Sequence, residues 1–307
     1  MNLMQFYKNF NMGREIDIAG TFIYNGFKNF DALKGFSQEC DVFHVLYSFA
    51  VGIERLQKVL LVLLEEFPEM LSEEDITRFE KSLITHSLQQ LHERIATRIQ
   101  IPFNPHQHAF LQLLTRFYET CRYDRFNISP NFHKERDLIV AFLSDRLKME
   151  ITVDRAYRDT PNDTRIKKFL GRVVGGTARA YYTTIKDQAR KLGLYTYELR
   201  FDSPAYKLFQ GELKDNSFYE LLFEERIALA EFLIYLLNHE SEEELREAIA
   251  NIEPLQLDIN ELEIYFSEIC HGKVPVGLVD SVVYWYEEIE ASKERLQKID
   301  QISSYFL

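Results

Sequence analysis

The 307-residue sequence predicts an all-α protein. Apolar residues recur at steps of three and four through most of the chain, which is the period of a helix with one buried face. The breaks between these stretches fall at proline, glycine or residues that commonly cap helices. No repeat of fixed period occurs, which disfavours solenoid architectures. We expect an antiparallel helical bundle followed by a second helical domain or extension.

Residues 1–40 lack a sustained period and contain four glycines among aromatic residues: Gly13, Gly20, Gly26 and Gly35. Glycine weakens helices, and residues 21–24 form a short β-like run. We therefore expect an irregular lead-in that packs on the body of the protein.

A long apolar stripe begins after Asp41 and predicts the first bundle helix, which Pro68 would end. Its members are Val42, Val45, Leu46, Phe49, Ile53, Leu56, Val59, Leu60, Leu63, Leu64 and Phe67. The spacing of Ser72 and Asp75 resembles a capping box and predicts a second helix that continues to Ile95. A third helix is expected from about Gln107.

The pair Ser129-Pro130 supplies a cap and a first-turn residue for a fourth helix. Together these helices predict an antiparallel bundle over 41–154. Residues 155–164 are polar and include a proline, so they are the candidate linker. The second domain, 165–307, would then open with a long helix that Asp163 or Thr164 caps and Gly193 stops.

The rest of the second domain is predicted to be mainly helical. We expect a short strand or extended segment at 194–201, followed by helices at 217–238, after Ser241, at 258–270 and at 276–304.

The opening stretch of this domain, 165–200, is positively charged in an acidic chain. Its nine basic and two acidic residues give a charge of +7. The net charge of the whole chain is −12, so the remaining 271 residues carry −19. Concentrated positive charge favours an anionic partner. The residues expected to follow a phosphate backbone are Lys167, Lys168, Arg172, Arg179, Arg190 and Lys191. Bases could stack on Tyr181, Tyr182, Tyr195 and Tyr197.

The same charges have a second interpretation, in which they pair with acidic residues of the C-terminal half, such as Glu224, Glu225, Glu240 and Glu242–Glu244. The glycines of 171–176 precede no Lys-Ser/Thr pair, so close helix packing explains them better than a phosphate loop does.

Several protein classes are disfavoured by composition. The longest apolar run, Val59–Leu64, is too short to span a bilayer. The N-terminal residues lack the pattern of a secretory signal, and three cysteines without CxxC spacing do not suggest a disulfide framework, so we expect a cytoplasmic protein. The motif His106-x-His108 has no nearby cysteine or acidic ligand, so no metal site or cofactor is predicted.

Three segments of the bundle resemble the HEPN domain, a helical fold of prokaryotic toxins, defence nucleases and nucleotidyltransferase partners. They are AVGIERLQKVLLVLLE at 50–65, THSLQQL at 85–91 and FLQLLTRFYETCRYDRFN at 110–127. The resemblance implies a dimeric, RNA-engaging protein of a stress-response or phage-defence system, with metal-independent endoribonuclease activity.

Catalytic members of the family carry an arginine, a polar residue and then a histidine. The nearest match is Arg125 and His133, with seven residues between them and Phe126 in the polar position, which departs from the pattern. The resemblance implies that His133 moves a proton at the ribose 2′-hydroxyl or the leaving oxygen, while Arg125 stabilises phosphorane charge. The alternative is a non-catalytic helical module for protein–protein interaction or regulation.

Overall fold

A computed structural model describes residues 3–67, 72–121, 126, 128, 133–153, 159–200, 203–210, 218–223, 225, 227–228, 252–270, 275–288 and 292–303. Every regular element within these ranges is helical, which confirms the all-α class. The α-helices are α1 Leu3–Phe6, α2 Met12–Ala32, α3 Glu39–Leu64, α4 Glu73–Ser82, α5 Leu88–Ala96, α6 Pro105–Thr120, α7 Lys134–Leu147, α8 Thr164–Lys191, α9 Pro204–Gln210, α10 Leu262–Cys270, α11 Val276–Glu288 and α12 Ser292–Ser303.

The chain divides into two compact units, Met1–Leu222 and Phe223–Leu307. This boundary differs from the predicted one, because the basic helix α8 belongs to the first unit. The apolar stripe of α8 is buried against α3 and α6. Residues 159–163 of the expected linker are anchored as well: the Asn162 side chain donates to the carbonyl oxygen of Phe30 at 2.6 Å.

The expectation of an irregular N-terminus was wrong. Helix α1, a π-helical turn at Tyr7–Asn11 and α2 follow one another without a break, and the β-like run 21–24 lies inside α2. Two glycines allow α2 and α3 to approach closely. A Cβ atom at Gly26 would lie 2.8 Å from the Phe49 ring, and one at Gly52 would lie 2.4 Å from the Ile23 side chain. These glycines serve packing, which a sequence period does not reveal.

Helix α3 is the centre of the first unit, and its predicted stripe is buried from Val42 to Leu63. It ends at Leu64, before Pro68, which lies outside the described residues. Two basic side chains satisfy its last carbonyl groups. Lys8 donates to the Glu65 oxygen at 2.7 Å, and Arg98 donates to the Leu64 oxygen at 2.7 Å, as favoured at a helix C-terminus.

The single helix predicted from Ser72 to Ile95 is two helices. The Ser72 hydroxyl caps α4 by accepting from the Asp75 amide at 3.1 Å, as expected. A second cap, Ser87, accepts from the Gln90 amide and begins α5 after the non-helical residues that follow α4. The predicted fourth-helix start, Ser129-Pro130, lies outside the described residues, and α7 begins at Lys134.

Both ends of α8 match the prediction. The Asp163 carboxylate accepts from the Ile166 amide at 3.0 Å. Gly193 has a positive φ of 64°, and the Leu194 amide donates to the Ala189 oxygen at 2.9 Å, which completes a Schellman motif. Of the two forms predicted for 194–201, the strand was wrong, whereas the extended backbone is present in part, since Thr196 and Arg200 are extended and flank a 3₁₀ turn at Tyr197–Leu199. A strand needs a neighbour to satisfy its backbone, and no described segment supplies one.

The second unit contains α10, α11 and α12 within its described residues. The Trp285 indole donates to the Gln256 oxygen at 2.8 Å, and Arg295 donates to the Glu253 oxygen at 2.6 Å. The helices predicted at 217–238 and after Ser241 lie largely or wholly outside the described residues. None of the helices within the described ranges has the length and apolar character required to cross a bilayer.

Candidate functional site

The basic residues of α8 form a row along one face of that helix. At 100° per residue, four of the predicted positions fall within about 40° of one another. They are Lys168, Arg172, Arg179 and Arg190. Lys167 and Lys191 point away from this row.

Two of the predicted phosphate-binding residues have partners inside the first unit. The Lys167 ammonium lies 3.3 Å from the buried Asp31 carboxylate. The Lys168 ammonium lies 3.5 Å from Glu220 and 5.2 Å from the Tyr219 ring centre. The interpretation in which the charges pair internally therefore applies to these two lysines. Their partners are not the glutamates expected from the sequence.

Arg172 and Arg179 line a groove of about 480 Å³ between α8 and the start of α6. Arg172 is exposed and makes no ion pair or hydrogen bond with any residue that the structure describes. The Arg179 Nε atom donates to the Phe209 oxygen at 2.9 Å, and burial lowers the pKa of its guanidinium. Arg179 is thus held in place, whereas Arg172 is open to a ligand.

Hydrogen-bonding side chains surround these arginines. The polar members of the groove are Asn104, Gln107, Thr183 and Thr184. Gly176 lies between the arginines, and a Cβ atom there would come within 3.0 Å of the Gln107 amide. The absence of a side chain at this position lets α6 approach α8. The positive end of the α6 dipole also lies at this groove.

The other predicted contacts separate into exposed and buried residues. Arg190 and Lys191 are exposed at the C-terminal end of α8, outside the groove lining, and Arg190 is 3.9 Å from Asp187. Tyr181 and Tyr182 are completely buried, so the expectation that they stack on bases was wrong. Tyr195 and Tyr197 remain candidates, with 85% and 50% of their surface exposed.

Sequence reasoning missed Lys186, which lies five helical turns after Lys168 and therefore on the same row. Its ammonium donates to the Gln210 amide oxygen at 3.1 Å and lies 4.5 Å from the Tyr206 ring centre. The helical period could have identified it. Its partners on α9 could not have been identified from that period.

His133 is the N-cap residue of α7 and lies beside the first residue of α3. Its Nδ1 atom is 2.6 Å from the Glu39 carboxylate. An Arg136 nitrogen lies 3.9 Å from the same carboxylate oxygen. Arg125, the predicted partner, lies outside the described residues. Within the described part of the chain, the arginine placed near His133 is therefore Arg136, three residues later on the next helical turn.

The pair of Glu39 and His133 has a geometry suited to proton transfer. When Nδ1–H donates to the carboxylate, the imidazole is held in one tautomer and its Nε2 atom carries the lone pair. Glu39 then orients a base in the way that a third group orients the base beside a nucleophile. The side chain of His133 is 40% exposed, so solvent reaches the ring.

Two further histidines, His92 and His108, lie close together. His92 is buried, its ring stacks on Phe103, and His108 meets it edge-on. No group of three or more histidine, cysteine, aspartate or glutamate residues in the described ranges is arranged to hold a metal ion.

Comparisons with protein-family models, with curated proteins and with solved structures found no match to this chain.

Proposed function

We propose that the chain is a HEPN-like helical protein that binds RNA through the groove beside α8. The observation that carries this proposal is the pair formed by the open Arg172 and the anchored Arg179. Guanidinium groups recognise phosphate oxygens with two parallel hydrogen bonds. An arginine whose side chain is already held in place loses less conformational entropy on binding than a mobile arginine does.

The polar groups around the arginines support RNA as the ligand. The NH2 groups of Asn104 and Gln107, whose oxygens cap α6, can donate hydrogen bonds to ribose hydroxyls and base edges. Thr183 accepts from Gln210 and can still donate, whereas Thr184 donates to the Ala180 oxygen and can still accept. A 2′-hydroxyl both donates and accepts, which suits this mixture. The exposed Tyr195 and Tyr197 follow α8 and offer rings for unstacked bases.

We further propose metal-independent RNA cleavage at His133. The Nε2 atom of His133 would accept the proton of a ribose 2′-hydroxyl. The oxygen would then attack the adjacent phosphorus, and the P–O5′ bond would break as the imidazolium returns the proton to the leaving 5′-oxygen, which gives a 2′,3′-cyclic phosphate and a 5′-hydroxyl. Arg136 lies close enough to the pair to stabilise phosphorane charge. A dimer acting in a stress response or in phage defence is part of the same proposal and rests on the family resemblance.

A non-catalytic interaction module is the second candidate, and one observation favours it. Lys167 and Lys168 direct their charges to Asp31 and Glu220 inside the unit. Much of the positive stretch therefore stabilises the fold and leaves fewer cations for a ligand.

RNA binding is tested by fluorescence anisotropy with a labelled single-stranded 20-mer between 50 and 200 mM salt. Affinity should fall with salt, and Arg172→Ala should weaken binding and reduce the slope of log K against log salt by about 0.7. Arg78→Ala is the matched control, because it removes the same charge from the exposed face of α4. Absence of binding at 50 mM salt, or equal losses in both variants, contradicts the proposal.

A further inference from the structure

The second unit carries the acidic charge of the chain. Residues 223–307 contain 19 acidic and six basic residues, a net charge of −13, whereas residues 1–222 have a net charge of +1. A charge of one sign on one unit favours partners of the opposite sign. Neither the RNA-binding proposal nor the cleavage proposal uses this unit.

Helix α11 of this unit exposes a row of valines, which we call the valine face. Its members are Val276, Val279 and Val283, of which 75%, 45% and 52% of the surface is exposed. They fall within about 60° of one another around the helix. Tyr286 continues the row and is partly buried. The steps of three, four and three residues are those of the a and d positions of a coiled coil, so the valine face is suited to a second helix.

The other side of α11 fixes the helix within its unit. The Trp285 indole donates to the Gln256 oxygen at 2.8 Å. A Cβ atom at Gly277 would lie 3.8 Å from the ring of Tyr265, which is buried. Gly277 and Trp285 lie about 130–150° around the helix from the centre of the valine face. The valine face is therefore directed away from these two contacts.

Carboxylates border the valine face. Asp280 and Glu287 are exposed and occupy the e positions of the same heptads. Neither forms an ion pair or a hydrogen bond with a residue that the structure describes. Helices α10 and α11 contain no lysine or arginine. The edge of the valine face is thus negatively charged and open to cations from outside the chain.

From this arrangement we infer that the valine face binds an amphipathic helix of a partner protein, with an apolar seam and with lysine or arginine beside that seam. Exposed apolar rows bordered by polar residues mark interaction sites, and a helix can dock through residues at steps of three and four. Charges at e and g positions select the partner. The 13 residues of α11 form a helix about 20 Å long, which matches two heptads of the partner.

Two other occupants match the charges less well. A second copy of the chain would bring its own carboxylates to the edge of the valine face, and like charges at an interface repel. The segment 229–251 of the chain contains six acidic residues and one arginine, so it would bring like charges as well. A basic helix removes this repulsion.

Binding is tested by fluorescence anisotropy of the full chain with a labelled helical peptide of two heptads, which carries leucine at a and d and lysine at e and g. One control peptide carries glutamate at e and g, and another has the lysine peptide's composition in scrambled order. The lysine peptide should bind at least about tenfold more tightly than either control. Absence of binding at millimolar concentration, or equal binding of the scrambled peptide, overturns the inference.

The valine face is tested by two variants that first show native circular dichroism. Val283→Ser should weaken binding of the lysine peptide about tenfold, because it removes apolar surface from the centre of the contact. Leu296→Ser is the matched control, since Leu296 on α12 is also 52% exposed, and it should leave the affinity unchanged. Equal losses in the two variants contradict the assignment to the valine face.

Charge selection is tested by reversal. The double variant Asp280→Lys and Glu287→Lys should bind the glutamate peptide more tightly than the lysine peptide. The control, Glu263→Lys and Glu268→Lys on α10, changes the net charge by the same amount and should keep the preference for lysine. A preference that stays the same in the first double variant, or that is exchanged in both, overturns the inference.

Sedimentation of the native chain and of Val283→Ser distinguishes a partner protein from a second copy. An oligomeric state that is the same in both supports a partner protein. A dimer that dissociates in Val283→Ser assigns the valine face to a second copy and overturns the inference.

Discussion

The Nδ1 atom of His92 lies 2.8 Å from the hydroxyl oxygen of Tyr181, across the buried contact between α5 and α8. The Gln57 side chain donates to the same hydroxyl at 2.8 Å and to the Leu88 oxygen at 2.9 Å. Because the hydroxyl accepts from Gln57, it can donate its own proton to Nδ1 of a neutral His92 ring. These hydrogen bonds link α8 to α3 and α5.

Removal of the Tyr181 hydroxyl should destabilise the first unit. Tyr181→Phe leaves the buried His92 without this partner and removes one bond of Gln57, at a cost of about 1–3 kcal/mol in the free energy of unfolding. Urea denaturation measures the change. Tyr195→Phe is the control, because Tyr195 is 85% exposed, and it should change the free energy by less than about 0.5 kcal/mol. Equal effects would show that the network contributes nothing specific.

The same network should make stability depend on pH. Burial and, secondarily, His108 lower the pKa of His92 below its ordinary value of 6.5. The unfolded chain then binds the proton more readily than the folded chain does. Stability is full above pH 6.5 and falls as the pH drops towards the folded-state pKa of His92.

Denaturation midpoints measured between pH 8 and 5 test this prediction. His92→Asn retains a polar atom near the Nδ1 position without a titrating group, so the acid-dependent loss should shrink. An unchanged pH profile in this variant would assign the loss to other groups.

Lys167 should contribute to stability and Arg172 to RNA binding, although the two residues are only five positions apart on α8. Lys167→Ala removes a charged partner of the buried Asp31 and should lower the free energy of unfolding by about 1–3 kcal/mol. Arg172→Ala should leave stability within about 0.5 kcal/mol and weaken RNA binding. Denaturation and anisotropy on both variants measure the contrast. RNA affinity that depends on Lys167 and not on Arg172 would contradict the assignment of the groove.

Cleavage by His133 should need no metal. RNA incubated with the protein in EDTA should yield 2′,3′-cyclic phosphate ends, and His133→Ala should abolish them. Glu39→Gln should lower the rate without abolishing it, because the histidine loses its orienting carboxylate. Cleavage that survives His133→Ala would exclude this site, and no cleavage by the native chain would favour the interaction module.

Gly52→Ala should destabilise the packing of α2 against α3. The new methyl group would lie 2.4 Å from Ile23, inside a closely packed core, at a cost of about 1–3 kcal/mol or more. Gly176→Ala provides the comparison, since its nearest neighbour is the end of the Gln107 side chain at 3.0 Å, which can rotate. Denaturation midpoints should fall further for Gly52→Ala.

The sequence determined the features that depend on neighbouring residues. The buried stripe of α3 and the ends of α8 at Asp163 and Gly193 follow from period and capping chemistry, which act over a few residues. The same local logic placed four basic residues on one face of α8 and identified Arg172 and Arg179.

Only the tertiary structure decided how those pieces are used. Glycine at position 26 disfavours a helix in the sequence, whereas in the structure Phe49 of α3 packs against Gly26 within α2. The sequence predicts that Lys167 contacts a ligand, whereas in the structure its ammonium pairs with Asp31. The sequence predicts that the Tyr181 ring stacks on bases, whereas in the structure its hydroxyl is hydrogen-bonded to His92 and Gln57 in the core. Each outcome depends on residues that are distant in sequence, because burial and pairing are set by the surface that packing brings into contact.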